Sequence, residues 1–309
     1  MSKKNILYLF VLIFLLFTLS ILFFSKEKEG ENEKKIKVIT TIFPLYDIAK
    51  NVGGDEVEVS MLLDPGLEAH SFEPTPNDMI EINKADVFIY TGPFMEIWAE
   101  RVISAADNPN ILVINASKSI ELLKEEDEFG HKHEEGDPHI WLDFDNLKIM
   151  LENIKDGFIE KGLNEENVQK RANEYEKAIN DIDEAYFKYL SNCKTRTLVY
   201  SGHYAFAYLA KRYNLSYQSA YGLSPNSEPS ALKLTELTEQ IKDNNLKYIF
   251  HEELLNPRLS ETLRQETGVK ILNLSAAHNL SREDLDANKS LFQVLLENLK
   301  SLQTGLECY

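Results

Sequence analysis

Cysteine is scarce in this chain: Cys193 and Cys308 are the only two in 309 residues, and they form no C-x-x-C pair. That removes the thiolate metal clusters and dithiol redox centres that need such spacing. Whether the two pair with each other is open from sequence alone. Basic residues are also in deficit, 33 Lys and Arg against 50 Asp and Glu, for a formal charge of −17. Such a surface repels nucleic acid and anionic lipid and mildly favours cations, so no nucleic-acid partner is expected. Nor is the chain poor in apolar residues: 43% are hydrophobic, which excludes a disordered chain and, over this length, suits two lobes each able to bury its own core.

One long uncharged run is present. Lys3 and Lys4 precede the 20 residues from Asn5 to Phe24, and at about 1.5 Å rise per residue this spans a hydrocarbon core of roughly 30 Å. The leading lysines favour keeping that end inside and everything after it outside. No A-x-A cleavage site follows the run, which favours an uncleaved anchor over a cleaved signal peptide. No cysteine stands there either, so a lipid anchor is not expected. Ser25 to Lys35 (SKEKEGENEKK) is wholly polar and reads as a solvated tether.

From Ile36 onward, short apolar strands alternate with helical stretches, the rhythm of a mainly parallel sheet covered by helices. Strands are predicted at Ile36–Thr41, Val57–Leu63, Asp86–Tyr90 and Ile111–Ile114. Helices are predicted at Tyr46–Val52, from Pro76 to about Lys84 with Thr75 as N-cap, and at Phe94–Ala105. Asp145 to about Asn192 is almost continuously helix-forming. Its second segment, Glu165 to Leu190, carries one apolar stripe through Val168, Ala172, Tyr175, Ala178, Ile179, Ile182, Ala185, Tyr186 and Tyr189. A second rhythm follows: strands Thr197–Tyr200, Tyr248–His251 and Lys270–Leu274, with helices His203–Tyr213, Ser230–Asn244, Arg258–Thr267 and Asp284–Leu306. The expected fold class is α/β, two lobes each with a mainly parallel sheet flanked by helices, joined by one long rigid helix. The expected division is 1–24 anchor or signal segment, 25–35 tether, 36–163 N-terminal lobe, 164–192 linking helix and 193–309 C-terminal lobe.

Among seven histidines, three stand where a strand or turn gives way to the next element: His70, His139 and His203. Strand ends at an inter-lobe crevice are where open α/β sheets place ligands. Imidazole is the preferred nitrogen donor for borderline ions such as Zn²⁺.

The stretch Pro65-Gly66-Leu67-Glu68-Ala69-His70-Ser71-Phe72-Glu73-Pro74-Thr75-Pro76 resembles the first metal-ligand motif of the zinc- and manganese-binding solute receptors of ABC importers, the cluster A-I or cluster 9 family. Asp137-Pro138-His139-Ile140-Trp141-Leu142-Asp143 resembles its second motif, and Gly202-His203-Tyr204-Ala205-Phe206-Ala207-Tyr208-Leu209-Ala210 its third. The resemblance runs from Ile36 to the C-terminus. It implies one metal held between the lobes by His70, His139 and His203 and passed to an ABC permease driven by a cytoplasmic ATPase. With the N-terminal run, the expected protein is a monomer on the extracytoplasmic face of the membrane, anchored by that segment or secreted after its cleavage.

Manganese-type members carry glutamate at the His203 position, so three imidazoles point to Zn²⁺ over Mn²⁺. A manganese receptor of the same family is the alternative. The fourth ligand departs from the family, because Ser275-Ala276-Ala277-His278-Asn279-Leu280-Ser281 lacks the usual acid. His278 is the expected donor there, with water, Glu252 or Glu253 as competitors. The acidic stretch around His131 and His133 resembles the family's metal-collecting loop and reads equally as a solvated loop. His251-Glu252-Glu253-Leu254-Leu255 lacks the second histidine of a zinc-peptidase helix. A secreted zinc hydrolase, with Glu252 or Glu253 as base, is therefore the weaker reading from another class. The expected activity is capture and release, with no bond made or broken.

Overall fold

The structure is a computed structural model that describes residues 34–124, 136–223, 229–252 and 255–309. The expected anchor, nearly all of the tether, the His131/His133 stretch and Glu253 lie outside the described residues. Ile36–Tyr309 forms one compact unit.

Two four-stranded sheets organise it. In the first, β1 (Ile36–Thr40), β2 (Val57–Met61), β3 (Val87–Tyr90) and β4 (Leu112–Asn115) lie in the order β2-β1-β3-β4, and every pairing is parallel. In the second, β5 (Thr197–Tyr200), β6 (Ser216–Ser219), β7 (Tyr248–His251) and β8 (Lys270–Asn273) repeat that arrangement as β6-β5-β7-β8, again parallel. The internal repeat that the residues hide is thus plain in the topology. Strand β3 (VFIY) is buried at every position, as a strand covered by helices on both faces must be.

The helices around the first sheet are α1 (Phe43–Gly53), α2 (Pro76–Lys84) and α3 (Ala99–Ala105). Helix α2 starts at a full capping box: the Thr75 side chain accepts from the Asp78 N–H while the Asp78 carboxylate accepts from the Thr75 N–H. Helix α1 begins three residues earlier than expected, because Pro44 sits in its first turn, where a missing N–H costs nothing. Conversely, α3 starts at Ala99 and not Phe94, since residues 93–97 turn around the Glu96 carboxylate, which accepts from the N–H groups of Thr91 and Gly92 at 3.2 and 3.0 Å.

Helix α4 (Phe144–Lys161) ends on Gly162 at φ 98°, and α5 (Glu165–Leu190) starts on an Asn164 cap. At 26 residues α5 is about 39 Å long. It buries Val168, Ala172, Tyr175, Ile179, Ile182 and Tyr186 of the expected stripe, whereas Tyr189 is exposed. Its buried hydroxyls tie it to both halves: Tyr175 donates to Asp47 of α1 at 2.7 Å, and Tyr186 donates to the Leu295 carbonyl at 2.6 Å. One continuous apolar cluster follows α5 from Val38 to Leu306, with smaller clusters on the outer face of each sheet.

The second half adds α6 (Ala207–Arg212), α7 (Ala231–Asp243), α8 (Arg258–Thr267), α9 (Arg282–Asp286) and α10 (Leu291–Gly305). Three expectations fail here for identifiable reasons. Strand β6 (SYQS) has no apolar run to announce it, and it exists because β5 offers it an edge. The helix expected from His203 starts at Ala207, leaving His203 in a loop. The closing helix is split, because Asn288 takes φ 54° and Ser290 begins a new capping box with Gln293. Cys193 and Cys308 are disulfide-bonded, joining the segment after α5 to the end of α10. In the chain-entropy picture, closing a 115-residue loop stabilises the fold by about 4–5 kcal/mol.

Candidate metal centre

All four candidate histidines follow the C-terminal ends of strands: His70 after β2, His139 after β4, His203 after β5 and His278 after β8. In parallel sheets those ends face the crevice where ligands bind. His139 and His278 occupy equivalent places in the two repeats, each beyond the fourth strand.

Local structure fixes each loop. Gly66 takes φ 80°, and its N–H donates to the Leu280 carbonyl at 2.8 Å. The Asn279 amide donates to the carbonyls of Asp64 and Leu67 at 2.8 and 2.9 Å, which binds the His70 loop to the His278 loop. The Trp141 indole N–H donates to the Ala276 carbonyl at 2.8 Å, tying the His139 loop to that same segment. Gly202 is required by close approach, since a Cβ there would lie 2.4 Å from a Glu252 carboxylate oxygen and 2.4 Å from the Tyr200 ring.

The chain thereby brings three imidazoles together. His139 Nε2 lies 3.1 Å from His70 Nε2 and 3.0 Å from His203 Nε2. A tetrahedral zinc with Zn–N bonds of about 2.0–2.1 Å sets its nitrogens about 3.3–3.4 Å apart, so the spacing fits a zinc centre after a few tenths of an ångström of relaxation. The outer nitrogens explain the orientation. His139 Nδ1 sits 2.6 Å from Asp137 Oδ1, and His203 Nδ1 sits 2.7 Å from Glu252 Oε2. With each Nδ1 donating its proton outward, two Nε2 lone pairs face each other at 3.0 Å, which is repulsive unless a cation lies between them. Asp137 Oδ1 and Glu252 Oε2 also accept from the backbone N–H of the histidine each orients, at 2.9 and 3.1 Å.

His278 completes the wall. Its ring centroid is 5.6 Å from that of His203 and 6.4 Å from that of His70, and only 2% of the residue is exposed. Neither of its ring nitrogens has a hydrogen-bond partner among the described residues. A buried imidazole left without partners costs free energy that a bound cation would recover.

Electrostatics keep most of the imidazoles neutral and ready to ligate. Burial pushes His70, His139 and His278 below the ordinary histidine range, and neighbouring imidazoles push the same way. For His203 burial also pulls downward, but the Glu252 carboxylate outweighs it and leaves the group raised. Burial likewise works to raise Glu252, and its contacts with His203 outweigh it and hold the carboxyl low. Burial pushes Asp137 up to about 7.

The fold therefore gathers His70, His139, His203 and His278, and it places Glu252 among them, with Oε2 orienting His203 and Oε1 buried without a hydrogen-bond partner among the described residues. His251 is elsewhere, on β7 and 3.2 Å from the Ser260 hydroxyl. Asp137 is the functional residue that sequence reasoning missed, and the D-x-H spacing was its signal. Glu68 precedes His70 by the same spacing and was missed too.

The profile of the ZnuA family, zinc-uptake complex component A, periplasmic, matches residues 38–305. The zinc-binding lipoprotein AdcA of Streptococcus pneumoniae is 35% identical over 288 residues, which is 90% of this chain and 57% of that protein. This chain thus spans little more than half the length of the AdcA proteins it matches. The high-affinity zinc uptake system protein ZnuA of Bacillus subtilis is 31% identical over 91% of this chain and 90% of its own length. Among solved structures, the Zn(II)-bound ZnuA-like domain of S. pneumoniae AdcA superposes with a TM-score of 0.77 at 34% identity, covering 89% of this chain and all of that domain. The laminin-binding protein Lmb of Streptococcus agalactiae, described as an adhesin with metal-transporting activity, gives 0.78 at 30% identity over 88% of this chain and 99% of its own.

Proposed function

The chain belongs to the ZnuA family of zinc-uptake components, and we propose that it captures one Zn²⁺ outside the cytoplasm and delivers it to an ABC-type permease driven by a cytoplasmic ATPase. The single observation that carries this reading is the convergence of the His70, His139 and His203 Nε2 atoms, neighbours lying 3.0–3.1 Å apart, with carboxylates behind two of them. We assign those three as ligands and His278 as the fourth. Four imidazoles suit zinc better than manganese, which prefers carboxylate and carbonyl oxygen.

Four side-chain donors leave no open coordination position for a catalytic water, which supports transport of the ion over hydrolysis. Among the described residues no helix is long and apolar enough to cross a membrane, and the attachment proposed here is through the uncharged N-terminal run. A monomer suffices, because every donor comes from one chain.

The test is metal content and competition titration, zinc against manganese, on the wild type and His203→Ala. One tightly held zinc, lost or strongly weakened in the variant, supports the assignment. A manganese preference, or zinc uptake indifferent to His203, sinks it.

A further inference from the structure

Glu68 connects the buried site to solvent. Like Asp137 it stands two residues before a ligand histidine, and like Asp137 it accepts that histidine's backbone N–H, here His70 to Oε1 at 3.0 Å. The parallel ends there. Asp137 reaches back to its own imidazole, whereas Glu68, one methylene longer, sends its other oxygen to 3.9 Å from His278 Nε2. That distance is too long for a hydrogen bond and leaves room for an ion to be shared.

Three carboxylates thus surround the four histidines, and only one of them meets water. The side chains of Asp137 and Glu252 are 1% and 2% exposed, while that of Glu68 is 20% exposed. Glu68 also lines an open groove of about 730 Å³ with Asp64, Glu73, Asp78 and Glu81, and among the described residues no Lys, Arg or His lines that groove. Three of the other acids lining the groove are already engaged: Glu73 with Arg101 at 3.3 Å, Glu81 with Lys84 at 2.8 Å, and Asp78 in the α2 capping box. Glu68 Oε2 stands beside His278, whose buried ring nitrogens have no hydrogen-bond partner among the described residues.

We propose that Glu68 is the transfer ligand of this site: its carboxylate takes the divalent cation from the acidic groove and passes it to His278, from which it reaches His70, His139 and His203. The inference rests on the zinc-capture reading above. A carboxylate is a hard donor that exchanges with water readily, so it is suited to a cation still partly hydrated, and imidazoles then replace it. Because the same step runs in both directions, Glu68 governs rate more than equilibrium.

The experiment is stopped-flow binding of Zn²⁺ to the full-length protein, with release followed by chelator competition. Trp141, whose ring meets His139 edge-on at 5.4 Å between centroids, serves as the fluorescent reporter. Glu68→Gln keeps the acceptor for the His70 N–H and removes the charge. Association and dissociation should both slow by roughly tenfold or more, the lower range of electrostatic effects on cation capture, with Kd changed far less. Glu68→Asp should recover much of the rate, and Glu81→Gln should behave as wild type. Faster release with unchanged association in Glu68→Gln overturns the proposal, since Glu68 would then merely hold His278 in place. Unchanged rates overturn it as well, and so does an equal slowing in Glu81→Gln. A wild type that binds no Zn²⁺ overturns the capture reading itself.

Discussion

The two sides of the metal centre are built to different standards. His139 and His203 are wholly buried, and each has a carboxylate within 2.7 Å of Nδ1 that also holds the backbone N–H of the same residue. His70 is half-buried and the His278 ring nitrogens have no hydrogen-bond partner among the described residues, while Glu68 accepts the His70 N–H and stands 3.9 Å from His278 Nε2. Since His139 and His278 follow equivalent strands of a repeated topology, the difference does not come from the fold. It comes from what stands behind each ring. A donor fixed by an outer carboxylate needs no reorganisation to ligate, whereas an unfixed donor can arrive late and leave early, which suits the proposed handing-on of the ion.

The sharpest way to break this comparison is to remove one ligand from each side. A structural zinc site is worth about 10–16 kcal/mol in all, so one of four ligands accounts for roughly 3 kcal/mol, about a hundredfold in affinity. His139→Ala should lose at least that much by competition titration, and His278→Ala distinctly less. Equal losses would mean that the two sides are equally committed. Next in size is the outer shell: Asp137→Asn keeps the shape of the contact but removes the charge, and zinc affinity should fall about 10–100-fold with the fold intact by circular dichroism. Glu252→Gln should do the same at His203.

The smallest expected effect is on pH dependence. In the ion-free protein His203 is raised by Glu252 and Asp137 is pushed up to about 7 by burial, while the other three imidazoles are held low and neutral. Protons on His203 and Asp137 must leave when zinc binds, so affinity is flat above both pKa values. It declines as pH falls through them, with about two protons exchanged per ion. Titration of zinc affinity between neutral pH and mild acid measures that slope. A slope near five, with His70, His139 and His278 joining His203 and Asp137, would mean that all four imidazoles protonate alike. Glu252→Gln should move the onset of the decline to lower pH, because it removes the charge that raises His203.

A further contact bears on how the sides move together. Arg212 at the end of α6, just beyond the His203 loop, donates to Asp183 of α5 at 2.8 Å and to Asp145 at the start of α4, just beyond the His139 loop, at 2.7 Å. This link between the loops of the two supported histidines favours small tilts over wide opening. Lobe angles differing by many degrees between zinc-free and zinc-loaded crystals would contradict it.

Much of this was legible in the residues. The positions of His70, His139 and His203 beyond strands or turns could be read because short apolar strands bounded by Pro and Gly are local signals, although His203 lies in a loop and not at the helix start expected there. Helix α5 was legible because a 3.6-residue stripe over 26 positions has no other reading. What escaped was set by distant partners: β6 needs the edge of β5, and Glu252 finds His203 across 49 residues. The pairing of Cys193 with Cys308 depends on where α10 ends relative to α5.

By itself, then, the sequence determined the kinds of donor available, three or four imidazoles and no thiolate pair, and the α/β elements that carry them. Those are properties of residue type and local spacing. Only the tertiary structure decided which nitrogen of each ring faces inward, which carboxylate stands behind it, and that Glu68 sits beside His278 from 210 positions away. Such pairings are made by strand order and loop packing, and no local pattern in the chain encodes them.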